Sequence, residues 1–363
     1  MTNLSKALKR TLLGAAMASA AILAPAQAAE LDLSGKTVNF VIPFAETGGS
    51  ASWANFYAPL LSEALPGKPT VVVKFMPGAG STKGANWFQT QKDDGLTIFG
   101  SSGSTQFPYL LGDPRVRYEY KDWNVVLASA TGGVAYLPAD LGKKFQQDPN
   151  ALKGVKFIYG SQGATSLDLV PLLAWKLLGM TVEPVFGIKG RGDGRLMFER
   201  GEANIDYQTS SAYISKVQPL VESGKAVPMM TWGALDENGS IVRDPTFPDV
   251  PSFKEVLTRK LGKEPSGPGW DAWKAFFVSR VAAQKMVFLP KGASADSKET
   301  YQNAFERVVK RADFKKISEK SLGVYDQMIK KGAGVAAGQA TDVSDEARAF
   351  VKEWLKTDYN VNL

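Results

Sequence analysis

The chain has 363 residues, of which 44% are hydrophobic and 22% charged, and it contains neither cysteine nor histidine. This amount of apolar material supports about two folded domains and excludes a disordered chain. The missing imidazole and thiol groups exclude Ser-His-Asp and Cys-His catalysis, zinc fingers, iron–sulfur clusters and ordinary haem ligation. We therefore expect a protein that is not an enzyme, with no catalytic residues, no cofactor and no metal.

Residues 1–28 have the pattern of an export signal. Three basic residues and no acidic ones precede the apolar stretch Leu12–Ala24, which is too short to span a bilayer. The segment ends in an A-x-A pattern, so we expect cleavage after about Ala28, which lowers the formal net charge from +7 to +4. No later run has the roughly 18–20 apolar residues of a spanning helix, so we expect the mature protein to be secreted into the periplasm. Because there is no cysteine, we expect no lipid anchor.

The basic residues that remain do not form a cluster. On the predicted helix 297–312 and in the residues that follow it, lysines and arginines are interleaved with aspartates and glutamates, as on a solvated helix face. We therefore expect no binding of nucleic acid.

The first part of the mature chain alternates between strand and helix patterns. Residues 36–44 (KTVNFVIPF) are typical of a buried strand, and the apolar residues of 53–64 recur at helical spacing. Two further apolar runs, 71–75 and 96–100, predict strands, with a helix at 85–91 between them. Alternation at this length predicts a parallel α/β sheet.

The same alternation resumes after residue 150. Strands are predicted at 155–159, 182–186, 205–208 and 227–230, and helices at 167–178, 195–200 and 214–223. The sequence therefore contains two α/β units, and no repeat relates one to the other.

The rest of the chain is too rich in helices to stand alone. Strands are predicted at 275–278 and 287–289, and helices at 297–312 and 344–355. We expect this tail to pack back on the first unit.

The resulting fold is a two-domain α/β protein. Residues 29–129 and 232–363 form a discontinuous first domain, and residues 130–231 form an inserted second domain. Two crossings, near residues 128–131 and 230–233, connect the domains. Such a hinge closes on a ligand in the cleft between domains.

Three loops that follow predicted strands are rich in Gly, Ser and Thr: residues 47–52 (TGGSAS), 101–105 (SSGST) and 161–166 (SQGATS). In an open α/β sheet, ligands bind beyond the carboxyl ends of the strands. Glycine allows close approach of the backbone, and the free amides of a first helical turn attract anions. Three such loops from two domains predict a site for a carboxylate or phosphate. The alternative is that these residues only cap helices.

Two larger side chains lie close to these loops. Arg191 is at the mouth of a predicted strand-to-helix loop, where a guanidinium can pair with a carboxylate. Its alternative partners are solvent or the neighbouring acids Asp193, Glu199 and Glu202. Trp53 can stack on an aromatic ligand, but its position on the apolar stripe of its helix favours core packing.

Six short motifs occur in the order in which one protein family has them: Val41–Phe44 leading to Gly48–Ser50, Met76–Gly80, Asp94–Gly103, Tyr159–Gly163, Gly201–Asp206 and Phe247–Ser252. With these motifs the chain resembles the extracytoplasmic solute-binding receptors of tripartite tricarboxylate transporters, the Bug or tricarboxylate-binding receptor family. The resemblance covers most of the mature chain.

The resemblance implies a two-domain periplasmic binding protein of type II, with a ligand cleft between the domains. In such receptors the first two loops hold a carboxylate through backbone amides and water, and the second domain adds hydroxyl contacts. Carried over to this sequence, the ligand-binding residues are Gly48, Gly49 and Ser50, then Ser101, Gly103, Ser104 and Thr105, then Ser161, Ala164 and Thr165. Ser52 stands where many members carry an Asp that faces the ligand, which makes an amino-acid or amide ligand less expected.

The implied function is that of a periplasmic solute-binding protein. It would capture a small organic carboxylate, either a di- or tricarboxylate or an aromatic carboxylate, and deliver it to the membrane subunits of a tripartite tricarboxylate-type transporter. We expect a monomer. The alternatives are an exported hydrolase using carboxylate or Ser/Lys chemistry, and a structural or adhesive surface protein. Since amides, hydroxyls and Arg do not titrate near neutrality, we expect binding to vary little between about pH 6 and 8.

Overall fold

The computed structural model describes residues 29–363, so the predicted export signal over residues 1–28 lies outside the described residues. The first elements are, in chain order, β1 (Thr37–Ile42), α1 (Gly49–Ala64), β2 (Thr70–Phe75), α2 (Thr82–Gln89), β3 (Thr97–Ser102), α3 (Gly103–Leu110) and β4 (Asn124–Ser129). The alternation predicted for this part of the chain is present, and β4 is an additional strand that the sequence patterns did not indicate.

The middle of the chain continues with a second set of strands and helices. These are β5 (Gly133–Pro138), α4 (Ala139–Gln147), β6 (Lys156–Ser161), α5 (Leu169–Leu177), β7 (Thr181–Phe186), α6 (Arg191–Glu199), β8 (Asp206–Thr209), α7 (Ser210–Ala212), α8 (Gln218–Glu222) and β9 (Ala226–Thr231). Helix α6 begins at Arg191, four residues before the predicted start of this helix. The residue therefore lies in the first turn of a helix and not in the loop that precedes it.

The last part of the chain is mainly helical. Its elements are β10 (Ala234–Leu235), β11 (Ile241–Val242), α9 (Phe253–Leu261), α10 (Pro268–Val281), β12 (Lys285–Leu289), α11 (Ala295–Val309), α12 (Phe314–Ser321), β13 (Gln327–Ile329), α13 (Lys330–Gln339) and α14 (Asp345–Tyr359). The strand predicted at 275–278 is wrong, because these residues lie inside α10. Trp270, Trp273 and Phe277 recur at helical spacing and their rings stack along that helix, which is a longer pattern than the short apolar run that predicted a strand.

A six-stranded sheet organises the first domain, in the order β13-β4-β12-β3-β1-β2. Strand β1 pairs in parallel with β2 and β3, as predicted. Strand β12 runs antiparallel to both of its neighbours, β3 and β4, so the sheet is mixed and not fully parallel. Strand β12 begins on the side of the sheet where β3 and β4 end, and it therefore runs in the opposite direction to both.

The second domain contains two small sheets. Strands β8, β5 and β9 form an antiparallel sheet in that order, and β6 pairs in parallel with β7. The predicted parallel pairing therefore holds only for β6 and β7 in this domain. Strand β4 ends in the first sheet at Ser129 and β5 begins in the second at Gly133, so a short connection crosses between the domains.

Aromatic side chains fill the core of the first domain on both faces of its sheet. Trp53 of α1 is buried, packs edge-on against Phe40 and Tyr57, and donates through Nε1 to Ser129 Oγ at 3.1 Å. On the opposite face Phe88 stacks on Phe99, with ring centroids 4.6 Å apart. Trp53 thus has the core position that its place on the apolar stripe favours.

Helices from the C-terminal part of the chain also complete the core of the second domain. Trp273 of α10 donates through Nε1 to the carbonyl of Val170 in α5 at 3.1 Å, and Phe276 packs edge-on against Phe107 of α3. Helices α9, α10 and α14 belong to this core. The expected division at residue 232 placed all three helices in the first domain, whereas α10 packs against α5, α14 against α10, and α9 against β9. Across residues 29–363, no helix is both long and apolar enough to cross a membrane.

Candidate ligand-binding cleft

The two domains touch along the cleft through the loops that follow their strands. The amide of Ala45 donates to the carbonyl of Lys189 at 3.1 Å, and Ser211 Oγ donates to the carbonyl of Gly49, also at 3.1 Å. Leu167 N donates to Ser104 Oγ at 3.0 Å. Each of these hydrogen bonds joins the first domain to the second, so the cleft is in a closed arrangement.

Glycine is required where the loops meet. A Cβ atom on Gly49 would overlap Thr209 Oγ1 across the cleft, and one on Gly192 would overlap the backbone of Thr47. A Cβ on Gly48 would lie 3.1 Å from the amide nitrogen of Gly192. The closed arrangement therefore depends on the absence of side chains at these positions.

Three helices begin at the cleft, namely α1 and α3 from the first domain and α6 from the second. The N-cap residues of α1 and α6 are Gly48 and Gly190, neither of which provides a side-chain cap, whereas Ser102 caps α3 through the amide of Ser104. The first-turn amides of a helix have no partner within the helix, and the helix dipole makes this end attractive to anions. The cleft is therefore lined by positive ends of helices from both domains.

A small space remains between these helix ends, which we call the inner cavity. Its volume of about 20 Å³ is enough for about one water molecule. The residues that line it are Phe44, Ala45, Gly48, Gly49, Ser50, Ser102, Gln162, Leu167, Gly190, Arg191, Thr209 and Lys285. Because an organic carboxylate is larger than this space, the domains have to move apart to admit one.

Lys285 is a charged residue of the inner cavity that the sequence patterns did not predict. It begins β12, is 2% exposed, and donates through Nζ to Ser50 Oγ at 2.9 Å. Burial and the nearby positive charge of Arg280 lower the pKa of the Lys285 ammonium to about 7. The expectation that no group in the site titrates near neutrality is therefore wrong, because the lysine lies close to the predicted loop.

Of the predicted residues in the first and second loops, some line the inner cavity and others do not. Gly48, Gly49 and Ser50 line the inner cavity, while Ser52 lies half-buried further along α1 and does not line it. In the second loop Ser104 forms the contact with Leu167 described above, and Gly103 packs against the Leu167 side chain.

Two other residues of the second loop bond to the first domain itself. Ser101 Oγ lies 3.2 Å from the hydroxyl of Tyr120, and Thr105 Oγ1 lies 2.7 Å from Ser81 Oγ. Ser102, between the two positions that were predicted, is the serine that lines the inner cavity.

The predicted residues of the third loop lie around the edge of the cleft. Ser161 Oγ donates to the carboxylate of Asp168 at 3.0 Å. Thr165 Oγ1 donates to Asp113 at 2.8 Å, and Arg115 donates to the same hydroxyl oxygen at 2.9 Å. Ala164 and Thr165 line a separate, wider groove of about 450 Å³, the outer groove, which also includes the C-terminal residues 361–363. Gln162 lines both spaces and lies between them.

The Arg191 guanidinium is engaged inside the second domain. It forms an ion pair with Asp206, lies 3.5 Å from the carboxylate of Asp168 and donates to the carbonyls of Gly160 and Tyr207. Arg191 still lines the inner cavity because it is the first residue of α6. The part of Arg191 that is free to meet a ligand is its first-turn amide.

The sequence carries a signal for Lys285, although a weak one. The segment KMVFL starts with a lysine and continues as an apolar strand, and lysine is almost never fully buried without a partner. The sequence patterns also did not assign a ligand role to seven further residues of the inner cavity: Phe44, Ala45, Ser102, Gln162, Leu167, Gly190 and Thr209. Ser102 and Gln162 lie inside two of the three predicted loops, so the pattern located their loops but not their side chains.

Comparisons with solved structures find the same fold in proteins that include a periplasmic binding protein. MatC from Rhodopseudomonas palustris, with bound malate, has a TM-score of 0.63 and 18% identity, over 87% of this chain and 98% of that one. The periplasmic binding protein BugD has a TM-score of 0.63 and 20% identity, over 88% and 97% of the two chains. Rpa4515 from R. palustris, with adipate, has a TM-score of 0.63 and 17% identity, over 88% and 96%.

No family model matches the sequence, and no curated protein matches it significantly. The structural likeness extends over almost the whole length of each neighbour and includes the two-domain organisation. The chain therefore has the two-domain α/β fold of the periplasmic binding proteins.

Proposed function

We propose that the protein is a periplasmic solute-binding receptor that captures a small organic carboxylate and delivers it to a tripartite tricarboxylate-type membrane transporter. The observation that carries this proposal is the inner cavity, where the N-termini of α1, α3 and α6 meet a buried lysine between two closing domains. This arrangement attracts an organic anion, which the two domains enclose after moving apart to admit it.

The structural neighbours support a carboxylate as the ligand. MatC holds malate and Rpa4515 holds adipate, and both are dicarboxylates on the same fold. The delivery to membrane subunits and membership of the Bug family are supported by the sequence motifs described above, and a monomer is part of the same proposal.

One observation favours a second function, a Ser/Lys hydrolase. Ser50 and Lys285 are hydrogen-bonded, the pKa of the lysine is about 7, and helix amides lie nearby, which are the components of a Ser-Lys nucleophile and an oxyanion site. Against hydrolysis, the pair is sealed between two domains and the neighbours on this fold are binding proteins. Binding without chemistry is therefore the function we propose.

A thermal-shift screen of the mature protein tests the proposal. The probes are mono-, di- and tricarboxylates, aromatic carboxylates and sugar acids, with amino acids and neutral sugars as controls. A ligand at 100 times its Kd stabilises the folded state by about 2.7 kcal/mol, which raises the Tm by about 5 °C. No shift with any carboxylate contradicts the proposal, and release of product from an ester or amide by wild type but not by Ser50→Ala supports the hydrolase.

A further inference from the structure

Four basic side chains are buried in the described part of the chain, two with a carboxylate partner and two without one. Arg191 pairs with Asp206, and Arg195 pairs with Glu199. Arg280 and Lys285, which are 1% and 2% exposed, have no carboxylate partner within residues 29–363. The chain thus neutralises two of its buried cations and leaves the other two, five residues apart, without an anion.

The surroundings of Arg280 and Lys285 are also short of hydrogen-bond partners. Arg280 donates to Gln284 Oε1 at 2.9 Å, while its Nε and the Nε2 of Gln284 are buried without a partner. A buried donor without an acceptor is costly, and a buried charge without a counter-charge more so. These donors therefore mark a place where the described part of the chain supplies no acceptor with negative charge.

The position of Lys285 makes a ligand the source of that charge. Lys285 lines the inner cavity together with the first turns of α1 and α6, and its Nζ is hydrogen-bonded to Ser50, which lines the same cavity. Arg280 lies behind it, against Gly103 at the start of α3. An anion that enters the cleft between the domains therefore meets Lys285 directly and the field of Arg280 at slightly longer range.

We propose that Lys285 is a ligand-contact residue that binds one carboxylate of a dianionic ligand, and that Arg280 is a positioning residue behind it. The cleft then selects small dicarboxylates over monocarboxylates. This inference rests on the proposed function. A monocarboxylate supplies one negative charge for the helix ends and leaves Lys285 without a partner. A dicarboxylate supplies one carboxylate for the helix ends and a second for Lys285.

The charged groups around Lys285 are few. Its neighbours on β3 and β4 are Ser102 and Ser129, and the neighbour from α1 is Ser50. The charged side chains that face Lys285 are Arg280 of α10, which acts on its ammonium, and Arg191 of α6, which lines the same cavity and is already paired with Asp206. When a carboxylate approaches Nζ, the ammonium form is favoured, so binding above neutral pH takes up a proton from solution.

Calorimetric titrations test this assignment. The proteins are wild type, Lys285→Met, Arg280→Gln and the control Lys291→Met, a lysine that is 62% exposed just beyond the same strand. The probes are malate with its monocarboxylate counterpart lactate, and adipate with hexanoate. Each titration is run at pH 6, 7 and 8.5 in two buffers of different ionisation enthalpy, so that the proton uptake is measured.

We expect wild type to bind at least one of the two dicarboxylates about 30-fold or more tightly than its counterpart. Lys285→Met reduces this preference to about threefold or less and abolishes the proton uptake, while the monocarboxylate affinity changes little. Arg280→Gln reduces the preference less and raises the pH at which proton uptake is half-maximal. Lys291→Met behaves as wild type.

The outcomes separate this inference from the proposed function. If malate or adipate binds wild type and Lys285→Met with equal affinity and no proton uptake, the assignment of Lys285 is wrong and the carboxylate receptor stands. If none of the carboxylates in the wider screen binds wild type, both are wrong. Turnover of an ester that depends on both Ser50 and Lys285 overturns the assignment in favour of catalysis.

Discussion

Arg191 and Asp206 form an ion pair in the interior of the second domain, where both side chains are at most 5% exposed. Burial raises the pKa of the Asp206 carboxyl, and the adjacent guanidinium opposes that shift. Tyr136 and Gln208 donate further hydrogen bonds to the same carboxylate. The pair holds α6 against β8, and it thereby fixes the helix end that faces the cleft.

Arg191→Met is expected to destabilise the protein by about 3–5 kcal/mol, because it leaves a buried carboxylate without its partner. Urea unfolding of the ligand-free protein measures this loss. The control is Arg200→Met, which breaks an exposed pair with Glu202 and costs less than about 1 kcal/mol. Unchanged stability of Arg191→Met, together with lost ligand binding, would instead give the guanidinium a ligand role.

Gly49→Ala is expected to prevent full closure, because the new Cβ atom overlaps Thr209 Oγ1. The affinity for ligand should fall about tenfold or more, since closure is coupled to binding. The stability of the ligand-free protein should change by less than about 1 kcal/mol, because alanine is well tolerated in a first helical turn. Calorimetry measures the affinity, and the scattering radius with ligand measures the extent of closure.

The double variant Gly49→Ala with Thr209→Ala provides the matched control. Removing Oγ1 leaves the Thr209 Cβ at an ordinary contact distance of 3.4 Å from the new methyl group. Closure and affinity should recover, at least in part. A double variant as weak as Gly49→Ala alone would show that the steric explanation is incorrect.

Ser101→Ala and Ser104→Ala are expected to act on different properties. Ser101 faces Tyr120 inside the first domain, so its loss should cost about 1 kcal/mol of stability and leave binding unchanged. Ser104 accepts from Leu167 across the cleft, so its loss should weaken ligand binding several-fold with little change in the Tm of the ligand-free protein. If Ser101→Ala weakens binding and Ser104→Ala lowers the stability, our placement of the two hydroxyls is wrong.

Lys285→Met is expected to stabilise the ligand-free protein at pH 7 by about 2–4 kcal/mol. The pKa of Lys285 falls from 10.5 to about 7 in the folded state, so the unfolded chain binds the extra proton between these values. For wild type, this group therefore makes the free energy of unfolding increase as the pH rises from about 7 towards 10.5. Lys285→Met lacks that increase.

Urea unfolding at pH 7 and pH 9.5 checks the prediction for Lys285. The advantage of Lys285→Met over wild type should shrink at pH 9.5, whereas Lys291→Met should differ little from wild type at either pH. An advantage that is equal at both pH values would mean that packing, and not the buried charge, accounts for it.

The loops that meet at the candidate cleft could be predicted from local sequence because their backbone features are local. Gly48, Gly49 and Ser50 follow a β-branched run and precede an amphipathic helix, a pattern that places free amides at the end of a strand. The same reasoning located the loop that contains Ser104 and the serine-rich third loop. Helix α10 was misread because four apolar residues in a row fit a strand as well as a buried helix.

The side-chain contents of the cleft depended on strand register, which local patterns do not reveal. Ser102 pairs with Lys285 and Ser101 with Met286, so one residue of shift decides which serine faces the cavity and which faces the core. Likewise, whether Arg191 meets a ligand or Asp206 depends on how α6 packs against β8.

The sequence by itself determined that this protein works without imidazole or thiol and that glycine and hydroxyl residues end its strands. Composition and local periodicity are sufficient for both statements. Only the tertiary structure decided that Lys285 and Arg280 lie buried at the cleft with no carboxylate partner among residues 29–363, because a charge is unpaired only in relation to residues distant in sequence.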